Sequence, residues 1–313
     1  MAKNQGIKRV LWALDAFENP DETRAHVVAA IRTLLKNKGV KVEPVYVLSP
    51  DQLDISFELS PPWREKYRPA AEKALDQLVK EANVRGLMKP HVIFHSRPSL
   101  TGAVQALNTY GRSVGADLII VGTHARSGLP RLFLGSFAET LLQYSKTPVL
   151  VVGGESRVAD SFDHILFATD FGKKSQAAYE RVLKIAKIFH AKVTLFHSIP
   201  NPIEPVFQSG VYLLGGGWVP VVQYLKTEEI ERKKLGETWI KKAKKLGVDA
   251  RLEIDTDGKG VVESVNHAAE HGGAKMIAMA AQSGPIASVV IGSVTRMVTR
   301  NSKVPVWVLR SSK

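Results

Sequence analysis

Between residues 118 and 152 the chain carries residue types, at a spacing, that suit the binding of phosphate. Four apolar residues (118–121) lead to Gly122. Thr123, His124, Ala125, Arg126, Ser127 and Gly128 then begin a polar loop that runs on to Arg131. Gly135 and Ser136 open a helical pattern, Pro148 stops it, and Val149–Val152 read as a second buried strand. Strand, Gly-containing loop, helix start and strand form the layout of a phosphate site in an α/β fold. The free N–H groups and positive dipole end of a helix start attract an anion. Glycines let the main chain approach it, and the Ser136 hydroxyl adds a donor. Plainer roles stay open: Gly135 as the pivot of a sharp turn, Ser136 as an N-cap, Arg126 and Arg131 as solvated loop charges.

Alternating strands and helices are needed to position this loop. Residues 9–15 give a strand ending at Asp15, 21–38 an amphipathic helix and 40–48 a second strand. Residues 49–63 hold Pro50, Pro61 and Pro62 and read as a loop. A helix over 69–84, a strand over 92–95 and a helix over 100–114 follow, the last ended by Gly115. After a linker at 153–161 the pattern restarts. Asp170 repeats Asp15 at an offset of 155 residues, and Gly292-Ser293 repeats Gly135-Ser136 at an offset of 157. Pro305 repeats Pro148, 13 residues beyond its glycine in both halves. Three landmarks that agree in order and spacing mark an internal repeat. The expected fold is α/β: two repeated, doubly wound domains, each on a five-stranded parallel sheet, over residues 1–155 and 162–313. Residues 201–225, with Gly215-Gly216-Gly217 among large apolar residues, have no first-half counterpart. They read as a loop packed over the domain, a dimer contact, a mobile lid or a lipid-facing flap.

Composition narrows the function. At 313 residues with 44% hydrophobic and 23% charged residues, the chain is that of a globular protein. It has no cysteine, which excludes disulfides and thiolate chemistry and is compatible with a reducing cytoplasm. Neither a signal-peptide core nor an apolar run of membrane-spanning length is present, so a cytoplasmic protein without a transmembrane segment is expected. The formal charge of +13 arises from 43 Lys and Arg against 30 Asp and Glu. The basic residues recur along helical stretches such as 240–245, without the interleaved aromatics of a base-stacking surface, so nucleic acid is not the expected partner. None of the standard P-loop, dinucleotide, zinc-protease or serine-hydrolase signatures occurs. His91 and His95 share a strand face but lack a third metal ligand.

The 118–152 stretch resembles the universal stress protein family, and the repeat resembles its tandem form. The family's nucleotide motif is Gly, two residues, Gly, nine residues, then Gly followed by Ser or Thr. Gly122 takes the first position and Gly135-Ser136 the last, while Ala125 stands where the middle glycine would be. The resemblance implies an adenine-nucleotide alpha-hydrolase-like fold, with ATP, with or without Mg²⁺, in the crevice at the strand C-termini. It places Asp15 beside the adenosine and the Val47 backbone at adenine. Gly122, Thr123, His124, Arg126 and Gly128 would lie along ribose and phosphates, and Gly135, Ser136 and Phe137 at the phosphates. Asp15 as a cap of its own loop is the plainer alternative. His124 is the only candidate general base for hydrolysis, so a slow ATPase is the most catalysis implied. Counting back from Gly292 puts Met279 and Gln282 at the glycine positions, so the second half is expected to bind no nucleoside triphosphate. The resemblance also implies that Val149–Val152 and Val306–Leu309 pair within the chain as a pseudo-dimer. A role in stress response or signalling, an unknown regulatory protein partner and a homodimer of the tandem chain follow; a nucleotide-free interaction scaffold is the alternative.

Overall fold

A computed structural model describes residues 6–17, 22–50, 61–123, 134–199, 221–257, 260–281 and 291–310. The first half contains β1 (Arg9–Ala13), α1 (Glu22–Leu35), β2 (Lys41–Leu48), α2 (Pro61–Ala82), β3 (His91–Phe94), α3 (Leu100–Ser113), β4 (Leu118–Gly122), α4 (Ser136–Tyr144) and β5 (Val149–Val152). The second contains β6 (His164–Ala168), α5 (Lys173–Phe189), β7 (Lys192–Ser198), α6 (Val221–Lys245), β8 (Ala250–Asp255), α7 (Val261–His271), β9 (Met276–Ala280), α8 (Ser293–Asn301) and β10 (Val306–Leu309).

The strands form one ten-stranded sheet in the order β3-β2-β1-β4-β5-β10-β9-β6-β7-β8. Within each half all neighbours are parallel. The halves meet through β5 and β10, which are antiparallel with Leu150 opposite Trp307. Central strands covered on both faces must be apolar throughout, and β4, β5, β9 and β10 are buried at every residue. Side chains alternate between the two faces. Val10, Trp12, Ile120, Leu150, Phe167 and Trp307 pack under α1, α5 and α6; Leu11, Ile119, Val151, Leu166, Ile277 and Val306 pack under α3, α4, α7 and α8. Both cores run without interruption across the two halves.

Two local expectations need correction. Pro61 and Pro62 begin α2 instead of ending a loop. In the first turn a proline costs no hydrogen bond, because those N–H groups have no helical partner. Likewise α6 begins at Val221, directly after Pro220, so residues 221–225 are helix. The remainder of the 201–225 segment lies outside the described residues. Among the described residues no helix is long and apolar enough to cross a membrane.

At the amino edge of the sheet Glu43, on β2, is 4% exposed. Arg9 Nη2 lies 2.6 Å from its Oε2, and Tyr110 Oη donates to its Oε1 at 2.5 Å. These bonds satisfy a carboxylate that would otherwise be costly to bury.

Candidate functional site

In each half the strand order reverses beside the first strand, between β1 and β4 or between β6 and β9. There the chain leaves in opposite directions and a crevice opens at the carboxyl ends of the strands. A helix that joins two parallel strands runs back against them, so the N-terminus of α4 faces this same edge.

Asp15, Val47, Gly122 and Thr123 occupy the carboxyl ends of three adjacent strands. The β1–β2 ladder ends at Ala13 and Val45, followed by one further bond from Leu14 N to Val45 O at 3.1 Å. Asp15 is partly exposed just beyond it, and its Oδ1 accepts from Phe17 N at 2.9 Å. Val47 turns its side chain into the core at 4% exposure, which leaves only its backbone for a ligand. Gly122 closes β4 against Val152 of β5. Thr123 is held from two sides: its N donates to Val152 O at 2.9 Å, and its carbonyl accepts from Thr23 Oγ1 at 3.4 Å.

Gly135 is the N-cap of α4, with φ −53° and ψ 144° and no side-chain cap. Any residue can adopt those angles, so positive φ does not explain this glycine. Ser136 is the exposed first helical residue and not the cap. Phe137 packs partly into the core, so it offers its N–H group and not its ring. The first N–H groups of α4 therefore have no intrahelical partners, and the Gly135 cap offers no side chain to them. His124, Arg126 and Gly128, with Ala125, lie outside the described residues.

Two polar atoms at this edge were not legible as site candidates. Among the described residues Tyr46 Oη and Ser49 Oγ are buried without a hydrogen-bond partner, their residues 1% and 0% exposed. Burial, with the Asp15 carboxylate adding, pushes the Tyr46 hydroxyl far above its ordinary pKa and keeps it a neutral donor. Phe17 packs edge-on against the Tyr46 ring at 5.8 Å. In sequence Tyr46 reads as one more aromatic in a strand and Ser49 as a strand end, so only the missing partners identify them.

The second half arranges the same edge differently. Asp170 Oδ1 accepts from Gly172 N at 2.9 Å and from Ser175 Oγ at 2.5 Å. The register places His197 and Ser198 where the first half has Tyr46 and Val47. His197 Nδ1 donates to Thr169 O at 2.7 Å, and burial lowers its pKa, so the ring is neutral. Ser198 Oγ donates to Asp255 Oδ2 at 3.1 Å. The polar groups here largely satisfy one another. Among the described residues no three His, Asp or Glu side chains converge to hold a metal ion.

Fold and edge define the class: an open, doubly wound α/β protein with a crevice at the carboxyl edge of a parallel sheet, built twice in one chain. Residues 6–153 and 161–310 each match the profile of the universal stress protein family. The chain belongs to that family. A curated universal stress protein of Mycolicibacterium smegmatis is 24% identical over 209 residues, covering 63% of this chain and 63% of that protein, so the match spans less than two thirds of the relative's length. A universal stress protein from Archaeoglobus fulgidus DSM 4304 aligns over 97% of both chains with TM-score 0.58 and 20% identity. A protein of unknown function from Pseudomonas aeruginosa PAO1 aligns over 98% of this chain and 94% of its own, with TM-score 0.57 and 15% identity. At such identities the structural likeness speaks for the fold alone.

Proposed function

We propose that residues 1–155 form an adenine-nucleotide-binding domain that takes ATP, with or without Mg²⁺, and that residues 162–313 form a domain with no nucleoside triphosphate site. The supporting observation is the contrast between the two carboxyl edges. Among the described residues the first presents a carboxylate with one backbone partner and two buried hydroxyls with none, while both halves start the helix at that edge on a glycine without a side-chain cap. The second spends its carboxylate and its Ser198 hydroxyl on internal bonds. Unsatisfied buried polar groups are costly, so their concentration at one edge favours a polar ligand there. The helix start favours an anionic part of it.

In this reading Asp15 and the Val47 backbone meet the nucleoside. Gly122, Thr123, His124, Arg126 and Gly128 line the ribose and phosphates. Gly135, Ser136 and Phe137 supply N–H groups and a hydroxyl. The bound state signals in a cytoplasmic stress response, through a regulatory protein or a homodimer of the tandem chain, without fast catalysis. Ala125 favours a second reading, a nucleotide-free scaffold, because a β-carbon at that motif position hinders close approach of a phosphate. Equilibrium dialysis against ATP, with and without Mg²⁺, separates them. Saturable uptake at or below millimolar ATP supports the first reading, and no uptake at that concentration leaves the scaffold.

A further inference from the structure

The contact between the halves is arranged around a local two-fold axis, and the residues on that axis are unlike. With the repeat offset of 157 residues, Val149 corresponds to Val306, Leu150 to Trp307 and Val151 to Val308. In the antiparallel ladder Val149 faces Val308 and Val151 faces Val306. These flanking positions are valine in both halves and would fit equally well in any combination. Leu150, however, faces Trp307, its own counterpart. Both are buried in the same core, at 1% and 2% exposure. Two copies of the first half would set Leu against Leu and leave a void; two copies of the second would force two indoles into one place.

Charge repeats the pattern one layer above the sheet. Glu139 of α4 corresponds to Arg296 of α8, and the two form an ion pair at 3.2 Å. Arg300, counterpart of Gln143, donates to the other Glu139 oxygen at 3.2 Å. Arg310, counterpart of Gly153, donates to the carbonyl oxygens of Leu142 and Gln143 at the end of α4. In these contacts the second half supplies the cations and the first the acceptors, and the counterparts Glu139, Gln143 and Gly153 carry no cation to return them. Like pairs would oppose Glu139 to Glu139 or Arg296 to Arg296.

We propose that this seam accepts only unlike halves. The α4–β5 surface is a docking face for the α8–β10 surface of a second half and rejects a second copy of itself. The second half is thereby the dedicated partner of the helix whose start lies at the first half's carboxyl edge. The proposal is independent of whether that edge binds nucleotide.

The test uses the full chain with a protease site placed in the 153–161 linker. After cleavage, dilution and prolonged incubation, native mass spectrometry weighs the species. The expected result is a complex of one first half with one second half, near the 34.3 kDa of the intact chain. Like–like pairs or separated halves would overturn the proposal. A second measurement needs no cleavage. Leu150→Trp and Trp307→Leu each lower the thermal midpoint of the full chain, and the reciprocal double variant recovers most of the loss. A double variant as unstable as the sum of the two losses would equally overturn it.

Discussion

The carboxylate of Asp170 accepts a hydrogen bond from the Ser175 hydroxyl at 2.5 Å, and among the described residues its counterpart Asp15 has no such bond. In the first half α1 begins at Glu22, farther along the chain from Asp15 than Lys173 of α5 is from Asp170, and the buried hydroxyl of its first turn, Thr23 Oγ1, donates instead to Thr123 O at 3.4 Å. One aspartate of the repeat is thus built into its own loop, while the other, among the described residues, accepts from the N–H group of Phe17. The two residues that look most alike in sequence differ most in what they leave available.

Substitution separates these roles. Asp15→Ala is expected to weaken ATP binding roughly tenfold to hundredfold, the range for losing a hydrogen bond to a charged group. Asp170→Ala is expected to leave ATP affinity unchanged and to lower the unfolding midpoint, because it releases Ser175 and Gly172. Titration calorimetry and thermal melts on both variants check the pair. Equal effects on affinity would contradict the assignment.

Glu139 lies in the first turn of α4, three residues after Ser136, where its charge would repel an incoming phosphate. Arg296 and Arg300 offset that charge from the other half. The double variant Arg296→Ala with Arg300→Ala is expected to weaken ATP binding about threefold to fivefold, as for charges near a helix terminus at low ionic strength. Glu139→Gln in that background should restore the affinity. Failure of the rescue would show that the arginines act through packing alone.

At the opposite edge, Glu43→Ala removes the shared partner of Arg9 and Tyr110. A loss of ~2–3 kcal/mol is expected in denaturant unfolding, below the ~3–5 of a fully buried pair because Arg9 keeps part of its solvent contact. Nucleotide affinity should not move, since this cluster sits at the amino edge of the sheet.

Burial, with the hydrogen bond to Glu43 adding, pushes Tyr110 from its ordinary 10.0 up to about 12. The unfolded chain releases this proton near pH 10, and the folded chain holds it to about 12. Across that window the folded state binds more protons, so stability is fully present below pH 10 and falls as the pH rises. Burial raises Tyr46 and Tyr179 as well, which steepens the alkaline loss. In chemical unfolding over this range, Tyr110→Phe is expected to remove its own share of the slope and leave the rest.

Much of the fold was legible because landmark residues recur. Asp15 and Asp170, Gly135 and Gly292, and Pro148 and Pro305 marked the repeat, and apolar strands between helices marked the parallel sheet. Pro61-Pro62 misled because proline signals a loop and a helix start alike, and only the chain beyond it decides which. Of the site, Asp15, Val47, Gly122 and Thr123 lie at one edge, with Gly135, Ser136 and Phe137 at the start of α4. Tyr46 and Ser49 stayed hidden because an unpartnered hydroxyl is a property of three-dimensional surroundings and not of a motif. Glu139 and Arg296 read as ordinary helix charges until the offset set them at equivalent positions. That opposition was a signal available in the sequence.

The central claim is that one half alone binds adenine nucleotide. Titration calorimetry of the full chain with ATP and Mg²⁺, repeated on Gly135→Val, tests it most directly. Gly135 is suited to this because it caps the helix start and its backbone angles allow a side chain. The expected result is a single nucleotide per chain, abolished by the substitution, with an unchanged thermal midpoint in the absence of nucleotide. No saturable heat at millimolar ATP, or binding that survives Gly135→Val undiminished, would contradict it.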